Sequence, residues 1–328
     1  MDKKQKFSVR TDLAVEAREI IEEEKGDIDD GIVVNTEENE YMDITTVEII
    51  NENGSRAMSK PLGSYITIES PGLRENDPAC HKEITRKLAE CITELCSAKS
   101  DSTFLIVGLG NWNITPDALG PKVVNRILVT RHMFDTLPEE LDGAVRPAAA
   151  VSPGVMGITG IETGEIIKGI SEKMKPDIVI AVDALAARRS SRINAAIQLS
   201  DTGIIPGSGV GNKRQALNEE TLGVPVIAIG VPTVVDAATL VNDTMGSMLK
   251  EMANAVEEGS EFYEMLESID DEDRYQLIYD TLTPYAGNMF VTPKEVDAVI
   301  DRLAKIISDA INISVHNGMT IEDTAKFM

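Results

Sequence analysis

Two aspartates stand where an α/β protein does chemistry. Asp183 closes the apolar run in Ile180-Ala-Val-Asp-Ala-Leu185, and Asp117 lies in the polar loop of Val107-Gly-Leu-Gly-Asn-Trp-Asn-Ile-Thr-Pro-Asp-Ala-Leu-Gly-Pro121. A carboxylate at the carboxyl end of a buried strand costs free energy unless it is hydrogen-bonded or shares a proton, so its presence there points to function. In open α/β sheets ligands sit at the carboxyl ends of the strands, where both segments fall. If the strand beginning at Phe104 and the strand ending at Val182 are neighbours, Asp117 and Asp183 face each other across one crevice. Two close carboxylates do not both ionise readily, so one holds a proton while the other activates water. That is acid–base hydrolysis. For Asp117 a structural reading stands beside it: a carboxylate at a helix N-terminus, facing the dipole.

Other chemistries fit less well. Gly108-Leu-Gly-Asn-Trp-Asn113 lacks the third glycine of a dinucleotide fingerprint and does not match a phosphate-binding loop. Asp201-Thr-Gly203 has the aspartic-protease signature, but pepsin-like enzymes use two such loops in an all-β setting. One DTG in an α/β region reads as a turn, with at most a substrate-contact role. There is no GxSxG elbow, and the histidines are His81, His132 and His316. Gly207-Ser-Gly-Val-Gly211 is a flexible loop, open to a substrate-contact or a plain turn reading. Cys80, Cys91 and Cys96 show no CxxC spacing and fall in one predicted helix, so they read as reduced packing residues; no metal site and no cofactor is expected.

The elements that must position the aspartates follow from periodicity. Between 103 and 252 short apolar runs (Phe104–Gly108, Ala148–Val151, Asp177–Val182, Ala195–Leu199, Val224–Ile229) alternate with helical segments after Asp117, near 164–174 and over 236–252. This predicts an α/β fold, a mostly parallel sheet with helices on both faces. Alternation in Ile44, Val47 and Ile49, a turn at Asn53-Gly54, and Ser64–Glu69 predict a small N-terminal β element. Asp77-Pro78 opens a helix over 78–98. Thr292-Pro293-Lys294-Glu295 reads as cap, first-turn proline and capping-box glutamate of a C-terminal helix. The chain divides into an N-terminal β/α portion (13–100) packed on an α/β catalytic core (101–252), then an acidic segment and C-terminal helix (253–328).

Charge narrows the partners. The 328 residues hold 31 Lys+Arg against 55 Asp+Glu, a net charge of −24. That sign repels phosphate backbones and anionic lipid, so neither nucleic acid nor a membrane surface is an expected partner. No apolar run approaches a membrane span and the N-terminus has no secretory h-region, so the chain reads as cytoplasmic. Residues 1–60 contribute −8 and residues 251–280 contribute −10. The stretch 181–214 runs the other way, with Arg188, Arg189, Arg192, Lys213 and Arg214 against Asp183 and Asp201. It attracts an anionic ligand or peptide, or forms a solvated loop paired to nearby carboxylates.

Four segments together resemble the germination protease family of endospore-forming bacteria: Ser8-Val-Arg-Thr-Asp-Leu-Ala-Val-Glu16, the GLGNWNITPDALGP loop, AVDALAARRSSRIN and LSDTGIIPGSGVGNKR. The resemblance spans nearly the whole chain. It implies an endopeptidase that begins the degradation of small acid-soluble spore proteins in the spore core, made as an inactive zymogen and assembled as a homotetramer. It also implies a core similar to hydrogenase maturation proteases and places the family's two proposed catalytic aspartates at Asp117 and Asp183. The family's substrates are cut after an acidic residue and before an aliphatic or aromatic one, followed by Ala, a small residue and Glu. Thr11-Asp-Leu-Ala-Val-Glu16 has that shape, which implies processing at Asp12-Leu13 and a propeptide of residues 1–12. The same stretch also reads as the capped start of an amphipathic helix. Under the resemblance, Arg188, Arg189, Arg192, Lys213 and Arg214 become holders of acidic substrate side chains.

Two readings compete with the metal-free dyad: a metal-dependent endopeptidase of hydrogenase-maturation type on the same carboxylates, and a non-catalytic α/β binding module in which they accept ligand hydrogen bonds.

Overall fold

A computed structural model describes residues 11–25, 31–134, 145–207, 214–256, 259–286 and 289–324. The strands are β1 (Ile32–Glu38), β2 (Asp43–Ile49), β3 (Gly63–Glu69), β4 (Phe104–Gly108), β5 (Ala148–Val151), β6 (Ile178–Ala187), β7 (Ala196–Ser200), β8 (Val226–Asp236) and β9 (Phe290–Val291). They form one sheet in the order β1-β2-β3-β7-β8-β6-β4-β5, with β9 on β8. Pairing is parallel across β5-β4-β6-β8 and antiparallel from β8 through β7, β3 and β2 to β1. The expected α/β architecture is present, and the N-terminal strands extend the core sheet through the β3–β7 pair.

Alternation along the strands divides the core in two. Ile106, Ile180, Val182, Ile197, Leu199 and Ile229 pack with Ile84, Leu88 and Ile92 of helix Pro78–Cys96 and with Leu303, Ile307 and Ile311 of helix Val296–Val315. On the opposite face Leu105, Val107, Val179 and Ala181 pack against Ile167 of helix Thr163–Met174. Further along that face Val47, Ile49 and Tyr65 cover Ala14, Ala17 and Ile21 of helix Ala14–Lys25. Asp183 belongs to this second face, between the two covering helices.

Several local readings change. β6 does not end at Asp183; it continues to Ala187, paired with β8 across a register shift at Leu185/Ala186. Asn53-Gly54 is not a turn. Both residues lie in helix Glu52–Met58, because the Asn51 side chain accepts their backbone N–H groups at 2.8 and 3.0 Å and caps it. β1 escapes periodicity because most of its side chains are exposed. Thr292 does not cap the C-terminal helix: its hydroxyl donates to Thr233 O at 2.9 Å, and the helix begins at Val296. Asp77 does cap helix Pro78–Cys96, accepting from Ala79 N–H at 3.0 Å and Cys80 N–H at 3.2 Å. The cysteines are free, and burial pushes the Cys91 thiol up to about 11 and the Cys96 thiol up to about 12, as suits packing residues.

Leu303 is fully buried between the sheet and helix Pro78–Cys96. Leu303→Ala is expected to cost about 2–5 kcal/mol, read as a lower denaturant midpoint at unchanged slope.

Candidate functional site

The site is built on one rung of the sheet. Asp183 of β6 lies opposite Gly230 of β8, which lies opposite Gln198 of β7. Side chains on a rung share a face, and two strand spacings separate Asp183 from Gln198, roughly 10 Å between Cα atoms. Gly230 leaves the space between them to Leu185, whose Cδ1 would sit 2.4 Å from any added Cβ. Asp183 is 5% exposed, and one of its carboxylate oxygens accepts the Ala184 N–H at 2.9 Å. Burial, and then the neighbouring charges of Asp117 and Asp12, push its carboxyl well above the usual range, against the Ala184 N–H and the positive charge of Arg214.

Asp117 reaches the same crevice through a loop that folds back over the ends of β4 and β6, which are parallel neighbours. Leu109 N–H donates to Val182 O at 2.8 Å, and Asn111 N–H donates to Asp117 O at 3.0 Å. Two glycines permit this closeness. Gly110 adopts φ +109°, and a Cβ there would lie 2.0 Å from Asp117 O; one at Gly120 would lie 2.3 Å from Leu109 O. Asp117 is half-buried. Burial raises its carboxyl, while the Asn111 N–H and Arg214 lower it. Sheet order therefore brings the two predicted aspartates together, with Arg214 the cation felt by both.

The chain's own N-terminal segment lies against this pair. Asp12 accepts the Ala186 N–H at 3.2 Å, and Leu13, wholly buried, packs with Val15, Leu185 and Ile204. The helix that was the alternative reading of this stretch is present and starts at Ala14. Glu16 is also wholly buried, its carboxylate accepting Arg188 N–H at 2.8 Å and Arg189 N–H at 2.9 Å as well as the Thr11 hydroxyl.

The basic stretch is divided by the fold. Arg192 pairs with Glu19 at 2.6 Å and with Glu69 at 2.7 Å, which raises its guanidinium against the effect of burial. Arg189 reaches Glu19 at 3.2 Å, and Arg188 approaches Glu16 through its backbone. The positive charge of Arg214 is felt at both aspartates, and Lys213 lies outside the described residues, as do 208–211 of the glycine loop. Asp201 and Thr202 tie their bend to β3: Asp201 accepts the Ser64 N–H at 2.8 Å and Thr202 donates to Tyr65 Oη at 3.1 Å.

Two contributors have no place in the sequence reading. The Asp12 carbonyl accepts from Lys60 Nζ at 2.8 Å and from Gln198 Nε2 at 3.2 Å, while Gln198 Oε1 accepts the Ala14 N–H at 2.6 Å. A glutamine in the apolar strand Ala196–Ser200 is a signal that could have been followed; Lys60 carries none. Among the described residues no group of three or more His, Cys, Asp or Glu is placed to hold a metal, and no helix is long and apolar enough to cross a membrane.

A family model described as germination protease matches residues 10–267 and 255–328. The germination protease of Clostridium tetani is 49% identical over 322 residues, covering 98% of this chain and 100% of its own. That of Caldanaerobacter subterraneus subsp. tengcongensis is 50% identical over 322 residues, covering 98% of each. That of Bacillus cytotoxicus is 44% identical over 358 residues, covering 98% of this chain and 97% of its own. Among solved structures, a NiFe hydrogenase maturation protease from Thermococcus kodakarensis aligns with TM-score 0.34 and 18% identity, over 67% of this chain and 98% of that one.

The Asp183 environment predicts a stability signature. Its carboxyl is raised, so the folded chain holds this proton more tightly than the unfolded chain, and the resulting stability is present at low pH and lost as pH rises through the folded value. Asp183→Asn has no proton to lose. Its melting temperature should gain on the parent's as pH rises from the ordinary carboxylate range toward neutrality; parallel curves would contradict the assignment.

Proposed function

The chain belongs to the germination protease family and is an endopeptidase, and on that premise we propose that it is made as a zymogen that cuts its own Asp12–Leu13 bond. In its active form it starts the degradation of small acid-soluble spore proteins in the spore core during germination. Hydrolysis uses water activated between Asp117 and Asp183, one of them protonated, with no covalent enzyme intermediate and no metal.

The observation that carries this reading is the seat of residues 12–16. The segment presents to the aspartates the side-chain order that the substrates show: acidic, aliphatic, Ala, small, Glu. Each position meets a matching environment. Leu13 packs in an apolar cluster with Leu185 and Ile204, Ala14 is wholly buried, and Glu16 takes two backbone N–H groups. We read the segment as an internal stand-in for substrate. It covers the crevice in the zymogen; once the bond is cut, residues 1–12 leave and residues 13–16, now the free N-terminus, withdraw to open the site for an acidic peptide held by the Arg188–Arg192 stretch and Arg214. Lys213 is a further candidate for that role. Homotetramer assembly is supported by the exposed Leu240, Val241, Met245, Met248 and Met252 along helix Ala237–Asn254, an apolar surface of the kind subunits cover.

Incubating the full-length protein and reading its N-terminus by mass spectrometry tests the dyad. A new start at Leu13 is expected, lost in both Asp117→Asn and Asp183→Asn while fold and assembly persist; normal trimming by either variant refutes the assignment. Trimming is expected to survive exhaustive chelation, since Arg214 already supplies positive charge to the pair. Met248→Glu is expected to lower the assembled mass in sedimentation.

A further inference from the structure

We propose that Lys60 and Gln198 are catalytic residues of this peptidase, two donors that polarise the carbonyl of the bond being cut and stabilise the oxyanion that forms on it. The inference rests on the reading that Asp12–Leu13 is cleaved by the Asp117–Asp183 pair.

The geometry is specific to one peptide bond. Among the described residues, the carbonyl of Asp12 takes both an ammonium, Lys60 Nζ at 2.8 Å, and a side-chain amide, Gln198 Nε2 at 3.2 Å. Gln198 also accepts the Ala14 N–H at 2.6 Å, so a single amide group grips the chain on both sides of the bond. On the far side the Asp12 carboxylate is fixed by the Ala186 N–H at 3.2 Å, three residues beyond Asp183 on the same strand. Donors therefore hold the carbonyl of this bond on one flank, while the charge of the Asp12 side chain is felt at Asp183.

Both donors are held in advance. Gln198 sits in β7 between β3 and β8, on the rung that carries Asp183. Lys60 leaves a short loop tied at both backbone groups: its N–H donates to Ser55 O at 3.3 Å, and its carbonyl accepts from Ser55 Oγ at 2.7 Å. Its ammonium lies 5.8 Å from the centre of the Tyr65 ring, and the Tyr65 hydroxyl donates to the next carbonyl, Pro61 O, at 3.0 Å. Preorganised donors aimed at a developing charge in a water-poor site need no rearrangement at the moment of reaction. Burial lowers the Lys60 ammonium from its ordinary value, opposed by the charges of Asp12 and Glu16.

The step balances without a further reactant. The ionised carboxylate takes a proton from water as the water oxygen bonds to the Asp12 carbonyl carbon, and the carbonyl π pair moves onto the oxygen held by Lys60 and Gln198. When that pair returns, the carbon–nitrogen bond breaks and the Leu13 nitrogen takes the proton of the protonated carboxyl. The products are a C-terminal Asp12 carboxyl group and a Leu13 amine.

The test follows first-order loss of residues 1–12 by intact mass in the full-length protein, across acid to neutral pH, for the parent, Asp183→Asn, Lys60→Met, Lys60→Arg and Gln198→Met. Amide exchange of helix Ala14–Lys25 reports whether the segment stays docked. Lys60→Met is expected to slow trimming about 10²–10³-fold with the helix still protected. Lys60→Arg should recover most of the rate and Gln198→Met should slow it at least tenfold. Lys60→Met trimming within tenfold of the parent overturns the inference. If Lys60→Met releases the helix, Gln198→Met decides, and a rate within tenfold of the parent overturns it equally. A parent that keeps residues 1–12, or an Asp183→Asn chain that loses them, brings down the cleavage reading itself. A trimmed parent, an inert Asp183→Asn and a fast Lys60→Met bring down only the donor pair.

Discussion

The structure depends on holding the Asp183 carboxyl out of water at the mouth of a parallel sheet. A carboxyl with so little exposure is tolerated only when its charge is opposed, its oxygens are hydrogen-bonded, or its proton is retained. All three devices surround it: the Ala184 N–H, the charge of Arg214, and a second carboxyl that makes proton retention favourable. Each constrains something distant in sequence. The Ala184 contact follows from β6 continuing past the aspartate. The second carboxyl requires the β4 loop to double back, which in turn requires backbone at 110 and 120 that no side chain could occupy.

The same buried face explains why so acidic a chain closes over its own site with more acid. Glu16, Glu19 and Glu69 neutralise the one locally basic stretch, and they do so largely through Arg192 and the backbone N–H groups of 188 and 189. A buried charge network of this kind is a poor source of net stability, while the loss of any one partner leaves a charge buried and unpaired. The N-terminal helix is thus located by electrostatics at Glu16 and Glu19 and by burial at Leu13, Ala14 and Ala17. The two most acidic regions then play different parts: residues of the first dock on the site, while the second forms helices Glu261–Glu267 and Asp271–Ala286 well along the chain.

Much of this was legible beforehand. Apolar runs of strand length separated by helical spacing declare a covered parallel sheet, since strands buried on both faces cannot alternate. Asp183 announced itself by interrupting such a run, and Asp77-Pro78 by cap chemistry, because both signals are local. Where a local signal met a competitor, tertiary or local, it failed. Thr292 had the form of a cap but found Thr233 O instead, and Asn53-Gly54 had the form of a turn but was recruited into a helix by Asn51.

Residue type and order alone determined the α/β class, the two candidate carboxyls, the uneven distribution of charge and the family the chain resembles. What only the tertiary structure decided is which groups meet. That β4 and β6 are neighbours, that Gln198 shares a rung with Asp183, that Lys60 reaches the Asp12 carbonyl across 48 positions, and that the arginines already hold the chain's own glutamates depend on strand order and register. Those are set by the packing of the whole sheet, and no short-range pattern encodes them, because a side chain's partner across a sheet is fixed by global burial and not by its neighbours in sequence.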